Sequence, residues 1–196
     1  MAGRINAAGG VPSSPMAIPD RQESRREQML RAATTAFAQR GYFGTSTARV
    51  AQEAGVSQPY VIQVFGTKEA LFLEVLDRAG DIIVRQMESI GLDTFDLSRF
   101  TDAFRHTVLE ESVMFVLQQG FAASAVPAVG AYVRGLLARM YGVLVDHANA
   151  TPEEARDYLA RGLLINTVLA MGYRDNTDEY PWVQPLIEVV LGGEEG

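Results

Sequence analysis

The backbone between Ala54 and Ser57 has to reverse within three residues, because both flanks read as helix and Gly55 stands where a left-handed conformation costs least. Upstream, Thr45 or Ser46 can cap a helix whose Val50, Ala51 and Ala54 share one face. Downstream, Ser57 can cap a second helix by accepting from an orphan amide, and Pro59 falls in the first turn, where a missing N–H removes nothing from the ladder. Val61 and Phe65, four apart, point inward, while Gln58, Tyr60 and Gln63 lie toward the outside. Thr67 caps a third segment that starts at Lys68. The pattern predicts two short helices joined by a glycine turn and buttressed by others, which is a helix-turn-helix.

A helix of about eight residues with a polar outer face suits the major groove of duplex DNA, and Gln58 can both donate to and accept from a base edge. The competing reading is a generic helical hairpin in which small residues simply pack. Lys68 weighs against it. At the first position of a helix a cation opposes the helix dipole by a few tenths of a kcal/mol, roughly, and a nearby phosphate reverses that sign. A solvated surface lysine is the plainer alternative.

On these residues, Thr34 to Leu76 resembles the DNA-binding region of the tetracycline-repressor (TetR) family of bacterial transcription regulators. The likeness runs through Ala36 to Tyr42, Thr45, Ala51, Ala54-Gly55-Val56-Ser57, Phe65 and Lys68-Glu69-Ala70-Leu71-Phe72. It implies a homodimer on a palindromic operator in double-stranded DNA, with contacts drawn from Thr45, Ser46, Thr47, Ser57, Gln58, Pro59, Tyr60, Gln63 and Lys68. It also implies a fourth helix linking the head to a ligand-binding body, and two long C-terminal helices forming the dimer contact. Ile62 and Val64 depart from the family, which usually has Tyr and often His at those places, both touching the DNA backbone. Tyr60 could supply a replacement hydroxyl.

A formal charge of −7 and a pI near 4.9 would argue against a nucleic-acid partner if the charge were evenly spread. It is divided instead. Residues 1–80 carry nine Lys and Arg against seven acids, whereas the rest carry eight against 17. A mildly basic head on an acidic body implies modest nonspecific affinity, so specific contacts must carry proportionately more.

The 196 residues can hold a small head and a larger body, divided here as a disordered tail 1–19, a DNA-binding domain 20–66 and a ligand-binding and dimerisation domain 67–196. The tail is rich in Ala, Gly, Ser and Pro without hydrophobic period, and its Arg4 is a weak candidate for a minor-groove contact. Asp20 can cap a first helix that runs to Arg40 and stops at Gly41, and Lys68 to about Ser89 reads as the fourth helix. Ser98 opens a long pattern to about Ala125, and Pro127 starts another with a wide apolar stripe. Thr151-Pro152-Glu153-Glu154 is a capping box opening a helix to about Met171, and Pro181 to Leu191 closes the chain as a short apolar helix. No alternating segments or repeats occur, so the expected class is all-α, a three-helix head plus a larger helical body.

With no cysteine there is neither a disulfide nor a thiolate metal site, and no segment approaches the roughly 20 uninterrupted apolar residues of a membrane span. A cytoplasmic protein with no membrane partner is expected. In the body, Met114, Phe115, Gln118, Phe121, Tyr132, Met140, Tyr141 and Asn166 mix aromatic, thioether and amide groups as pockets for a small-molecule effector do, although such residues at helical spacing are commonly ordinary core. Asn166 sits between Leu163-Leu164-Ile165 and Val168-Leu169-Ala170 and needs a partner if buried: across a dimer interface, in a pocket, or on a backbone carbonyl.

An enzyme is the competing class. His106 with Glu110, and His147 beside Asp146, supply fewer ligands than a metal site needs, and no nucleophile motif or phosphate-binding glycine loop is present. No cofactor is expected. The sequence therefore predicts a regulator, with repression and release by a small-molecule effector as the leading mode. The alternative is a helical ligand- or protein-binding dimer that has lost specific DNA binding.

Overall fold

The computed structural model describes residues 20–90, 94–108, 111–172 and 179–186, and these form an all-helical chain with no strand among them. The tail with Arg4, the paired His106 and Glu110, and the second part of the Pro181 to Leu191 segment, from 187 on, lie outside the described residues or side chains. In order come α1 Asp20–Gly44, α2 Thr47–Glu53, α3 Gln58–Phe65, α4 Lys68–Ser89, α5 Leu97–Val108, α6 Glu111–Ala122, α7 Pro127–Gly142 with a π-helical extension Val143–His147, and α8 Pro152–Ala170.

The ends of these helices follow the capping chemistry of the sequence, with two changes. Ser46 accepts from the Arg49 amide (3.2 Å), Thr67 from the Ala70 amide (3.0 Å), and Thr151 with Glu154 closes the reciprocal box. Ser57 occupies the N-cap of α3 but makes no side-chain cap bond, so proline at the start and the turn itself define that end. The second change is at α5, where Asp96 is the cap: its carboxylate accepts from the Ser98 amide (2.9 Å), the Ser98 hydroxyl (2.6 Å) and the Arg99 amide (3.3 Å). Those donors hold the Asp96 carboxyl below the usual carboxylate range, the Ser98 hydroxyl foremost. The long pattern from Ser98 to Ala125 is two helices, α5 and α6.

Gly41 interrupts α1 with φ 69° and ψ 177°, a backbone conformation that only glycine adopts without strain, as its place in the sequence predicts. Beyond it the chain turns so that Tyr42 packs its ring 5.0 Å from Phe72, and Phe72 in turn lies 4.7 Å from Phe37. Those rings join Met29, Leu30 and Ala33 of α1, Val50 and Ala51 of α2, and Val61 and Phe65 of α3 in one core. The same core continues without a break through α4 into the body.

Helix α4 is the axis of the molecule, touching α1, α3, α5, α6 and α7. Gly80 makes the approach of α7 possible, since a Cβ there would lie 2.6 Å from the Tyr132 hydroxyl and 2.9 Å from Leu136. Tyr132 donates to the Leu76 carbonyl (3.1 Å), and burial pushes its phenol far up. Helix α7 and its π-helical end, Pro127–His147, form the one described helix long and apolar enough to cross a membrane. Here Val129, Val133 and Leu136 are buried in the shared core.

On the outside of this junction Arg139 of α7 pairs with Asp81 of α4 at 2.8 Å, and Arg85 adds a second pairing at 3.2 Å. The Arg139 hydrogen bond is the main reason the Asp81 carboxyl lies below its ordinary value of 3.8. A carboxylate with a depressed folded-state pKa stabilises the protein above its unfolded value and loses that contribution as pH falls through the folded one. Asp81→Asn should therefore melt below the unaltered protein at pH 7. The two melting curves should converge as the pH drops below 3.8, and a gap that persisted in acid would refute the assignment.

Candidate functional site

Two features stand out from the fold: the surface around α3, and a narrow cleft in the body. On α3 the side chains of Gln58, Pro59, Ile62 and Gln63 are exposed, Tyr60 and Val64 are half-buried, and Val61 and Phe65 are core. The reading surface is thus polar at Gln58 and Gln63 and apolar at Pro59 and Ile62, the latter 40% exposed. Gln58 is held from behind: its Nε2 donates to the Thr47 hydroxyl of α2 at 3.2 Å. Ser46 is exposed at the start of α2, and Ser57 at the start of α3. Thr45, expected at the same surface, is only 2% exposed, and its hydroxyl donates to the Ala36 carbonyl at 3.1 Å, tying α2 to α1 inside the head. Tyr60 lines a crevice at the turn together with Arg25, Gln28, Gly55 and Ser57.

Lys68 does not point freely into solvent. Its ammonium donates to the Tyr42 carbonyl (3.0 Å) and lies 4.3 Å from the centre of the Tyr42 ring. Burial, reinforced by the Glu69 carboxylate, pushes the Tyr42 phenol up and keeps it neutral. Two of the three ammonium hydrogens remain for another acceptor at the start of α4. Several head arginines are engaged with carboxylates: Arg26 with Glu74 (2.6 Å), Arg78 with Glu27 (2.9 Å) and Arg49 with Glu53 (3.1 Å). Arg25 and Arg40 form no ion pair among the described residues. The charge count of the head thus overstates its free positive charge.

The cleft in the body lies among α4, α5, α6, α7 and α8, with a free volume of about 40 Å³. Of the residues singled out in the sequence, Met114, Phe121, Met140 and Asn166 line it. Phe115, Gln118, Tyr132 and Tyr141 do not; Tyr132 belongs to the α4–α7 contact, and Tyr141 is exposed. Sequence reasoning missed Ile83, Phe104, Leu117, Leu136, Leu137, Tyr158, Leu159, Gly162 and Leu163, which complete the walls. All but Gly162 recur at helical spacing like any core residue, so only the polar intruder Asn166 could have signalled the place. Asn166 is 2% exposed, and its Oδ1 is buried with no hydrogen-bond partner among the described residues. No group of three His, Asp or Glu side chains converges among the described residues.

Comparison with known proteins follows this division of the molecule. Residues 29–75 match the profile of "Bacterial regulatory proteins, tetR family". The same region is 41% identical over 76 residues to the HTH-type transcriptional regulator HbdR of Aromatoleum sp. (strain CIB), covering 37% of this chain and 33% of that one. It is also 41% identical over 63 residues to the HTH-type transcriptional activator FasR of Mycolicibacterium smegmatis, covering 32% and 29%. The chain thus spans about a third of the length of the curated relatives it matches. The likeness of fold reaches further. A transcriptional regulator from Rhodococcus sp. Rha1 superposes with a TM-score of 0.61 at 20% identity, covering 85% of this chain and 93% of that one. The TetR family transcriptional regulator PfmR from Thermus thermophilus does so at 0.59 and 20% identity, covering 87% and 97%. The helix-turn-helix segment thus carries the sequence pattern of the tetR family of bacterial regulatory proteins, and the described chain shares the fold of solved regulators of that kind.

Proposed function

We infer that the protein is a cytoplasmic, site-specific regulator of transcription that binds a palindromic operator as a homodimer. The observation that carries this reading is the α2–α3 surface, where Gln58 is exposed for a base edge yet oriented by Thr47, beside an anchored cation at the start of α4. Dimerisation is supported by α8, whose outer face bears Leu163 and Leu164, 42% and 38% exposed, with Trp182 following at 60%. Exposed apolar side chains of that size are what a second copy would cover.

Repression is the simpler mode, because a dimer sitting on a promoter blocks access without contacting polymerase, although FasR carries the name of an activator. The effector is a small apolar molecule entering the cleft. Helix α6 supplies the link: Met114, Leu117 and Phe121 face the cleft, while Gln119 lies against Gly41, next to the Tyr42 carbonyl that holds Lys68. Leu163 lines the cleft and also belongs to the exposed face of α8, so an occupant would press on the dimer contact as well.

Selection of bound fragments from random duplex DNA tests the reading. The expected product is a palindrome whose half-sites are spaced to match a two-fold dimer, bound by a species that sediments as a dimer at micromolar concentration. Recovery of unrelated sequences that are all released at moderate salt would overturn it in favour of a fold without specific recognition.

A further inference from the structure

We propose that the cleft of the body takes a slender, neutral, largely hydrocarbon molecule with a single hydroxyl or N–H head group that donates to Asn166. The proposal rests on the effector reading above and adds the chemistry of the occupant. It starts from a buried amide oxygen, Oδ1 of Asn166, that no described group satisfies. A buried acceptor left unpaired is costly, and natural proteins keep few of them. The Asn166 side chain that bears it is one of those lining a cleft whose other lining residues are apolar except for Tyr158.

The lining then selects by exclusion. It contains no Lys, Arg or His to balance a carboxylate or phosphate, and no Asp or Glu to balance an amine. An anion would bring its own charge against the Asn166 carbonyl oxygen and lose its hydration without compensation. Burial pushes the Tyr158 phenol far up, so it adds no charge of its own. An amide oxygen asks for a donor, and a neutral hydroxyl or N–H is the group that supplies one without a charge.

The shape of the cleft gives the body of the ligand. About 40 Å³ is below the roughly 300–1,000 Å³ of a drug-sized site, so a broad ring system is excluded without rearrangement. A chain one methylene wide is not, because the walls carry Met114 and Met140, unbranched thioethers that shift between rotamers readily. Gly162 leaves open the space in front of Phe104, whose ring would lie 3.7 Å from a Cβ there.

The test is calorimetric titration of the full chain with 1-octanol, octyl methyl ether and octanoate, three probes sharing an alkyl body but differing at the head. The alcohol should bind at least about tenfold more tightly than the ether, which cannot donate, and than the anion. In Asn166→Leu the alcohol and the ether should come within about threefold of each other, while the variant melts no lower than the parent because an unpaired polar group has been removed. Should that variant fail to fold, the ratio of alcohol to ether on the unaltered chain still decides. Equal binding of alcohol and ether, tightest binding of octanoate, or no binding of the alcohol each overturns the proposal. Alcohol binding with the stated preference but without release of DNA would leave the site standing and remove the effector reading. Release of DNA by another compound, with alcohol and ether bound alike, would do the reverse.

Discussion

Phe72→Ala should destabilise the protein by about 3–5 kcal/mol and abolish DNA binding at temperatures where the unaltered protein still binds. The side chain is fully buried, and truncation leaves a cavity between Phe37 of α1 and Tyr42 that neither ring can fill alone. The loss is not confined to packing. Tyr42 packs against Phe72 and also holds the Lys68 ammonium, so a looser Tyr42 frees the cation that marks the start of α4. Phe72→Leu, which conserves part of the volume, should cost clearly less and retain binding. Urea denaturation of both variants measures the effect. A change below about 1.5 kcal/mol at unchanged slope for Phe72→Ala would show that head and body are not joined through this contact.

That junction also marks where the sequence stopped being readable. Helix ends were legible because they are set by local chemistry: Ser46, Thr67, the Thr151–Glu154 box and Gly41 act on backbone groups within a few residues of themselves. Thr45 was legible as a cap or DNA-contact candidate but not as an internal tie, since its bond to the Ala36 carbonyl exists because α2 folds back on α1. The same holds for Gln58 with Thr47 and for Lys68 with Tyr42, pairs separated by 11 and 26 positions. The sequence places the start of the helical pattern at Ser98 but does not mark Asp96 as its cap, because three donors converging on one carboxylate depend on the turn that precedes the helix. In the cleft, Asn166 was conspicuous as an amide among leucines, whereas Leu136, Leu137 and Leu159 carry no mark that separates a wall from a core. Whether an apolar stripe faces a neighbour or a void is decided by the angles between helices, and periodicity does not encode those.

The head allows base reading and backbone anchoring to be separated by two substitutions. Gln58 is exposed at the start of α3 and already gives one amide hydrogen to Thr47, leaving a second hydrogen and the carbonyl oxygen for the N7 and N6 groups of an adenine. Gln58→Ala should cost about 1–3 kcal/mol on the preferred operator and relax discrimination at one base pair in each half-site. Thr47→Val removes only the orienting partner, so its loss should be smaller but fall on the same base pair. Lys68 sits where a helix N-terminus and an ammonium together attract a phosphate, and a phosphate carries no sequence. Lys68→Ala should therefore weaken preferred and scrambled duplexes alike and flatten the slope of log affinity against log salt by roughly 0.9 per subunit. The salt slope is the deciding measurement, because the bond from Lys68 to the Tyr42 carbonyl offers a rival role as a mere staple of the head. A staple lost would lower the melting temperature and leave the slope unchanged. If Lys68→Ala altered sequence preference while Gln58→Ala weakened every duplex equally, α3 would lie in the groove the other way round.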